Sequence, residues 1–292
     1  MHIKSSGLTD VGLKREGNED SFSIDDALRL YIVADGMGGH LAGEVASQVA
    51  VDTIARSYKK WIREDIAEDE LYGAYDQSLT LHGNYILSSI RAANRIIHEM
   101  SLAHEKYHGM GTTVVILVVT PTLIIAANAG DSRIYLVRNG RIERLSRDHT
   151  IVSEQVERGV MTPEEAEISP LKHVLTRNLG SSVDVEPDVF EIEPNNNDRF
   201  ILCTDGLTDL VNDREILEMT EQENDPEILC RQFVEKALQR GGHDNTTVVS
   251  LNVTDVVMPK GRLLKKGGHF LADFFLSIQE KLKKISYKPK SS

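Results

Sequence analysis

The sequence contains few cysteines and no long apolar run. Only two cysteines, Cys203 and Cys230, occur among 292 residues. So few cysteines argue against a disulfide framework and are typical of a reducing compartment. No stretch approaches the roughly 18 consecutive apolar residues of a transmembrane helix. The first ten residues also lack the apolar core of a signal peptide, so we expect a cytoplasmic protein with no transmembrane segment.

Two common signatures of phosphate chemistry are missing. A cysteine phosphatase needs a thiolate in a loop that closes on an arginine six positions later. At that distance, Asp209 follows Cys203 and Lys236 follows Cys230. The sequence also has no GxxxxGK[ST] loop for nucleotide phosphates. These absences argue against a cysteine phosphatase and against a P-loop enzyme.

Positive charge is scarce along most of the chain and concentrated at its end. The formal net charge is −12. Residues 259–292 contain nine Lys/Arg and two Asp/Glu, a net charge of +7, which leaves −19 for residues 1–258. So acidic a body would repel a nucleic-acid backbone. We therefore expect no nucleic-acid partner and a preference for bound cations.

Four aspartates stand at the ends of strand-like apolar runs. Asp35 and Asp205 each follow such a run and precede a glycine. Asp131 comes after a third run, and Asp244 lies just before a fourth. A single Asp-Gly pair is usually a turn, but four carboxylates that meet at strand ends repel one another unless a cation neutralises them. Because Mg²⁺ and Mn²⁺ prefer oxygen ligands, the pattern predicts a two-metal hydrolase site.

Short antiparallel strands framed by two long helices predict an α+β architecture rather than a parallel sheet. Apolar residues at helical spacing predict helices over about 42–54 and 82–107. Asn139-Gly140, between two strand-like runs, predicts a β-hairpin. Residues 146–184 break the pattern with short helical stretches, and we interpret them as an inserted flap beside the site.

Three residues near these runs have both a functional and a plain structural interpretation. Arg15 is either a solvated charge or a guanidinium that binds a phosphoryl group through two parallel hydrogen bonds. Gly36 either closes a turn or, without a Cβ, lets its carbonyl approach an ion. His40 either belongs to a tight turn before a helix or acts as an acid near a leaving group. Spacing alone favours the plain interpretation of Arg15 and of His40, and the functional alternatives are kept beside it.

The polar motifs also occur in a recognisable order along the chain. They are Arg15, Asn18-Glu19-Asp20, Asp35-Gly36-Met37-Gly38-Gly39-His40, Gly43-Glu44, Gly111-Thr112-Thr113, Gly130-Asp131-Ser132-Arg133, Asp148-His149, Asp205-Gly206 and Asp244-Asn245. Over about Gly7 to Val253 the chain resembles the metal-dependent serine/threonine protein phosphatases of the PPM, or type 2C, family. Within that family it is most similar to the compact bacterial branch that opposes eukaryotic-like kinases.

The resemblance implies a four-layer α-β-β-α sandwich of two antiparallel sheets flanked by helices, with metals in a cleft at one end. It implies a catalytic domain over residues 1–258, with a flap subdomain at 146–184. It also implies hydrolysis of phosphoserine and phosphothreonine in proteins by a water or hydroxide that bridges two metal ions. Phosphoprotein substrates and a cognate serine/threonine kinase are the partners that follow.

The same resemblance assigns the metal ligands. Asp35 would bridge two Mn²⁺ or Mg²⁺ ions. The Gly36 carbonyl would hold the second ion, and Asp205 and Asp244 would hold the first. Asp131, together with Asp205, would form a third-ion site of the kind found in bacterial members.

Further roles follow for residues around these ligands. Arg15 would bind the substrate phosphate, and Glu19 and Asp20 would order metal-bound waters. Animal members of the family carry a histidine two positions after the bridging aspartate, where this chain has Met37. The bacterial branch shares that difference. His40 or a metal-bound water is therefore the expected general acid.

The tail at residues 259–292 lies outside the resemblance. Its apolar residues recur at helical spacing and are followed by lysines, which predicts a basic amphipathic helix. We expect the tail to contact a protein partner or its own catalytic domain, with a membrane surface as the least favoured alternative.

Two other functions are compatible with parts of the sequence. One is a non-catalytic module of the same fold that binds phosphoproteins or acts as a scaffold. The other is a two-metal esterase for small phosphates. The four clustered carboxylates argue against the first, because a pure binding module need not keep them.

Overall fold

Two antiparallel β-sheets pack face to face in the computed structural model, which describes residues 1–39 and 41–256. The strands are β1 (His2–Asp10), β2 (Asp20–Asp25), β3 (Leu30–Met37), β4 (Gly111–Thr112), β5 (Val114–Val119), β6 (Ile124–Ala129), β7 (Arg133–Arg138), β8 (Arg141–Arg144), β9 (Asp188–Ile192), β10 (Asp198–Cys203) and β11 (Thr246–Thr254). The α-helices are α1 (Leu41–Glu64), α2 (Leu81–Ala103), α3 (Ile151–Glu157), α4 (Pro163–Glu167), α5 (Asp205–Thr208), α6 (Asp213–Gln222) and α7 (Pro226–Gln239).

The two sheets and their helices form four layers. One sheet has the strand order β1-β11-β10-β7-β8, and the other has β2-β3-β5-β6-β9 with β4 added beside β3. Helices α1 and α2 cover the outer face of the second sheet, and α6 and α7 cover the first. One apolar cluster lies between each sheet and its helices, and a further apolar cluster fills the space between the two sheets. The α+β sandwich predicted from the sequence is confirmed.

Strand β3 shows how the strand pattern creates these layers. Successive side chains of a strand point to opposite faces. Leu30 and Ile32 therefore pack under the helices, whereas Tyr31 and Val33 pack between the sheets. Because both faces are covered, the strand is apolar without alternation, which is why its sequence is a continuous hydrophobic run.

The two long helices differ from their predicted bounds. Helix α1 continues to Glu64, beyond the apolar spacing that predicted it. Helix α2 starts after Thr80, whose side chain accepts a hydrogen bond from the Gly83 N–H. It ends at Ala103 rather than at residue 107, because His104 adopts an extended conformation and a 3-10 turn follows. Within residues 1–39 and 41–256, no helix has the length and apolar character needed to cross a membrane.

The hairpin and the flap helices form as the sequence suggests. Asn139 and Gly140, which join β7 to β8, both have positive φ, as a type I′ turn requires. Helices α3 and α4 lie in the segment predicted as a flap. The returning chain is fastened to the second sheet, since the Thr112 N–H donates to the Leu179 carbonyl at 3.0 Å.

An ion pair between the partly exposed Arg138 and the buried Asp198 joins β7 to the start of β10. Asp198 is fully buried, and its carboxylate accepts hydrogen bonds from Arg138 Nε at 2.7 Å and Nη2 at 2.8 Å. The Asn195 N–H also donates to it, at 2.7 Å. Removing one partner of a buried pair leaves an uncompensated charge, which is strongly destabilising.

We therefore expect Arg138→Ala to lower the free energy of unfolding by about 3 kcal/mol, measured by urea denaturation. Arg214→Ala is the matched control, because Arg214 forms an exposed pair with Glu218. That control should change stability by no more than about 0.5 kcal/mol. Equal losses in the two variants would contradict a special role for the buried pair.

Candidate metal centre

The four aspartates singled out in the sequence lie together at one end of the sandwich. Asp35 belongs to β3 and Asp131 follows β6, both in the second sheet. Asp205 follows β10 and Asp244 precedes β11, both in the first sheet. All four line a single cleft of about 980 Å³. The cleft thus gathers carboxylates from both sheets.

Burial and mutual repulsion disturb the titration of these groups. Burial raises the pKa of Asp35 well above its ordinary value, and the charges of the neighbouring aspartates raise it further. Burial also raises the pKa of Asp131 to about 8 and that of Asp20 to about 7. Asp205 differs: burial acts to raise its pKa, but its hydrogen bond with His173 and the charge of that histidine prevail and lower it. A divalent cation would relieve the repulsion in such a cluster.

Two threonines fix the backbone of Asp35. The Asp35 carbonyl accepts hydrogen bonds from Thr112 Oγ1 and from the Thr113 N–H, each at 2.8 Å. The Asp35 N–H donates to Thr113 Oγ1 at 3.0 Å. Thr113 Oγ1 also shares a hydrogen bond of 2.7 Å with Ser132 Oγ, beside Asp131. Thr113 and Ser132 thus link the backbone of Asp35 to the residue next to Asp131 through hydrogen bonds.

Glycines allow the backbone around the site to pack closely. A Cβ at Gly36 would collide with the carbonyl oxygen of Gly43 in α1 and would lie 2.6 Å from that of Glu19. A Cβ at Gly206 would collide with the Asn245 carbonyl in the same way. Close packing is therefore a reason for Gly36 that is separate from the predicted contact of its carbonyl with an ion.

Glu19 lines the cleft, and Asp20 lies opposite Asp35 in the pairing of β2 with β3. The buried Asp20 carboxylate accepts hydrogen bonds from Thr204 Oγ1 at 3.0 Å and from Thr247 Oγ1 at 2.7 Å. Since Thr247 belongs to β11 and Thr204 directly follows β10, both in the first sheet, whereas Asp20 belongs to β2 in the second, these bonds join the two sheets beside the site. The Glu19 N–H donates to Asn245 Oδ1 at 2.8 Å, which adds a second connection.

Arg15 reaches into the cleft from the loop between β1 and β2. Its Nη2 donates to Asp244 Oδ2 at 2.6 Å, and its side chain is half exposed. Asn245 Nδ2 holds this loop by donating to the carbonyls of Val11 and Gly17, each at 2.9 Å. The guanidinium is thus anchored beside the carboxylates yet open to solvent. His40, the other residue predicted to act near a phosphate, falls outside the described residues.

The structure adds His173, which the sequence analysis missed. Its Nδ1 lies 3.2 Å from Asp205 Oδ2, and its Nε2 lies 3.4 Å from Asp209 Oδ2. The hydrogen bond to Asp205 raises the pKa of His173. Ligand atoms of Asp131, His173 and Asp205 all lie within 4.8 Å of one another. No local sequence pattern marks His173 as a ligand, because Asp131 and Asp205 are both far from it in the sequence.

The donor set fits a hard divalent cation. Carboxylate oxygens dominate the cleft, and the imidazole of His173 lies close to two of them, those of Asp131 and Asp205. Mg²⁺ and Mn²⁺ bind carboxylate oxygens, and imidazole nitrogen suits the later transition metals. Both cysteines are buried in the core rather than in the cleft, so no thiolate competes for the ion.

Known proteins resemble this chain in both sequence and structure. The model of the family Protein phosphatase 2C matches residues 6–246. The serine/threonine phosphatase stp of Listeria innocua is 35% identical over 257 residues, which cover 87% of this chain and 96% of that protein. The crystal structure of the Mycobacterium tuberculosis serine/threonine phosphatase PstP/Ppp has a TM-score of 0.75 at 34% identity, and the match covers 87% of this chain and 99% of that one.

A further solved structure bears on the metals. It is the catalytic domain of PstP in complex with two manganese ions, with a TM-score of 0.72 and 34% identity over 87% of this chain and 99% of that one. The family model covers most of this chain, and the relatives are matched over nearly their whole length. The chain belongs to the protein phosphatase 2C family, and as a protein phosphatase it is a hydrolase.

Proposed function

We propose that the chain hydrolyses phosphoserine and phosphothreonine in proteins at the cleft that gathers the four aspartates. The observation that carries this proposal is the convergence of Asp35, Asp131, Asp205 and Asp244 from both sheets in a chain of this family. A cluster so acidic would repel a phosphoryl group unless cations were bound in it. The alternative of a non-catalytic binding module has no support, since the relatives described above are named as phosphatases.

In the proposed site, the described residues would hold two ions and a possible third ion. Asp35, the Gly36 carbonyl, Asp205 and Asp244 would hold the first two, and Asp131 and Asp205 the third, with His173 as an added ligand. Manganese has the support of the relative that binds two manganese ions, and Mg²⁺ suits the same oxygen ligands. When bound, such ions lower the pKa of water and offset charge on the phosphoryl oxygens.

The chain's own residues then bind and orient the substrate. Arg15 would bind two phosphoryl oxygens with its planar guanidinium, which the structure already directs into the cleft. Glu19 and Asp20 would orient water, since Glu19 lines the cleft and Asp20 lies opposite Asp35 in the adjacent strand. The proton for the departing serine or threonine oxygen would come from His40 or from water.

Partners and location extend the proposal beyond the catalytic site. A cognate serine/threonine kinase would supply the phosphoproteins, and cytoplasmic action agrees with the low cysteine content. The predicted division between a catalytic domain at 1–258 and a tail at 259–292 stays a prediction. So does the role of the tail, because residues 257–292 lie outside the described residues.

Metal dependence is the most direct test of the proposed reaction. Hydrolysis of a phosphothreonine peptide should vanish in EDTA and return on addition of Mn²⁺ or Mg²⁺. Asp205→Asn should lower turnover by more than the about 10- to 100-fold typical of residues around the ligands, because it removes a ligand itself. Phosphate release over a range of metal concentrations measures both effects.

The matched control is Asp52→Asn. Asp52 is an aspartate on the surface of α1 that pairs only with neighbouring Gln48 and Arg56 in the hydrogen bonds described. The Asp52→Asn variant should hydrolyse the phosphothreonine peptide at the wild-type rate. Wild-type turnover in Asp205→Asn would show that Asp205 is not a ligand, and turnover on small phosphates but not on the peptide would favour a metabolite esterase.

Arg15 should act mainly in substrate binding. Arg15→Ala removes two hydrogen bonds to a charged phosphoryl group, each worth about 1.5–3 kcal/mol, so kcat/KM should fall by at least about 100-fold. Arg15→Lys should recover only part of this loss, because an ammonium group cannot form the paired bonds. Steady-state kinetics with Lys14→Ala as the neighbouring control measure the effect, and an unchanged kcat/KM in Arg15→Ala would rule it out.

His173 should affect metal affinity more than fold stability. His173→Ala removes a nitrogen near Asp131 and Asp205, so the weakest Mn²⁺ site should bind about tenfold less tightly. Calorimetric titration with Mn²⁺ measures this affinity, and thermal unfolding measures stability. His108→Ala, at an exposed histidine away from the cleft, serves as the control. Identical Mn²⁺ isotherms for the two variants would exclude His173 as a ligand.

A further inference from the structure

His149 is buried at the base of the flap and makes a hydrogen bond with each ring nitrogen. Only 2% of its surface is exposed. The Gly130 N–H donates to Nδ1 at 3.1 Å, and Nε2 lies 3.2 Å from Asp188 Oδ2. Because Nδ1 accepts a hydrogen bond, the ring proton is assigned to Nε2, which donates to Asp188. The ring is therefore an acceptor at one end and a donor at the other.

The backbone of His149 strengthens the contact with Gly130. The His149 N–H donates to the Gly130 carbonyl at 3.0 Å, so His149 binds both backbone polar groups of Gly130, its N–H and its C=O. Gly130 immediately precedes Asp131 and has a positive φ of 112°. A Cβ at Gly130 would lie 2.6 Å from Thr113, so there is little free space on its other side. Asp131 therefore follows a tightly enclosed glycine, and His149 holds the backbone of that glycine through two hydrogen bonds.

The other end of the ring is linked to the exit of the flap. Asp188 is the first residue of β9 and also lies 3.3 Å from Arg177 Nη1. The Thr176 N–H donates to the His149 carbonyl at 2.8 Å. The chain entering the flap, the chain leaving it and the residue before Asp131 therefore all meet at His149.

We infer that His149 is a positioning residue that sets the place of Asp131 and ties it to the flap. Its Nδ1 and backbone N–H hold Gly130. Its Nε2–H donates to Asp188, where the predicted flap ends. Metal affinity at the site of Asp131 should then depend on a histidine that does not itself join the group of ligand atoms. The inference rests on the proposed function, in which Asp131 is a metal ligand.

Two conservative substitutions separate the two ends of the ring. Asparagine can place its carbonyl oxygen where Nδ1 accepts from Gly130 but is too short to reach Asp188. Glutamine can extend its amide towards Asp188 but leaves no rigid acceptor at Gly130. If His149 acts through Gly130, asparagine should rescue the function and glutamine should not. A role in filling space alone predicts no such difference.

The experiment uses the full chain, with Mn²⁺ as the probe and no substrate. Calorimetry measures Mn²⁺ affinity, and hydrogen exchange with mass spectrometry measures protection of peptides that contain Gly130. We expect His149→Gln to weaken the Asp131-dependent Mn²⁺ site about tenfold and to speed exchange at Gly130. We expect His149→Asn to stay within about threefold of the wild type in affinity, on the same scale of outer-shell effects.

Asp131→Ala distinguishes a failure of this inference from a failure of the proposed function. If Asp131→Ala binds as many Mn²⁺ ions as the wild type, Asp131 is not a ligand and the proposed third site fails. If that variant loses a site while His149→Gln matches the wild type in affinity and exchange, the inference alone is overturned. Equal losses of affinity in the asparagine and glutamine variants would overturn it as well, because they would indicate packing only.

Substitutions at Asp188 keep the inference testable if neither His149 variant folds. Asp188→Asn retains an acceptor for the Nε2–H and should bind Mn²⁺ as the wild type does. Asp188→Ala removes that acceptor and should weaken Mn²⁺ binding at the Asp131-dependent site about threefold, no more than His149→Asn, which loses the same hydrogen bond. Equal Mn²⁺ affinities in the two Asp188 variants would overturn the inference.

Discussion

Repulsion among clustered carboxylates is the constraint on which the rest of the structure depends. Both sheets send aspartates to one cleft, where burial raises the pKa of Asp35 and brings that of Asp131 to about 8. Such an arrangement opposes folding unless protons, cationic side chains or metal ions offset it. Arg15 and His173 supply part of this compensation within the chain. A divalent ion would supply the remainder, so the strain of the cluster and its capacity to bind metal have one origin.

The surrounding structure keeps these carboxylates from moving apart. Thr112 and Thr113 hold the backbone of Asp35, and Asp20 joins the two sheets through Thr204 and Thr247. These groups are short side chains on strands or directly at their ends, and strands are rigid supports for a site. Gly36 and Gly206 lie beside these groups, and because they have no Cβ, neighbouring backbone segments can pack closely against them. The polar motifs around the aspartates are therefore explained by support of the site as much as by contact with a substrate.

The parts predicted from the sequence are those governed by local patterns. Apolar runs that end in aspartate placed Asp35 and Asp205 at strand ends, and the structure brings them to one cleft. The end of α2 was predicted too late, because the apolar residues continue into a separate 3-10 turn. His173 was not found, since its partners Asp131 and Asp205 are far away in sequence and only the fold brings them together. Long-range contacts of this kind leave no periodic signal to detect.

The flap connects the two sheets at the acidic cleft through a pair of histidines. His149, near its start, holds Gly130 at the end of β6 in the second sheet. His173, near its return, contacts Asp205 after β10 in the first sheet. Because one segment carries both histidines, a displacement of the flap disturbs contacts on both sides of the cleft. In the proposed metal site, a shift of this segment would therefore change both the contact of His173 with Asp205 and the hydrogen bonds that hold Gly130 before Asp131.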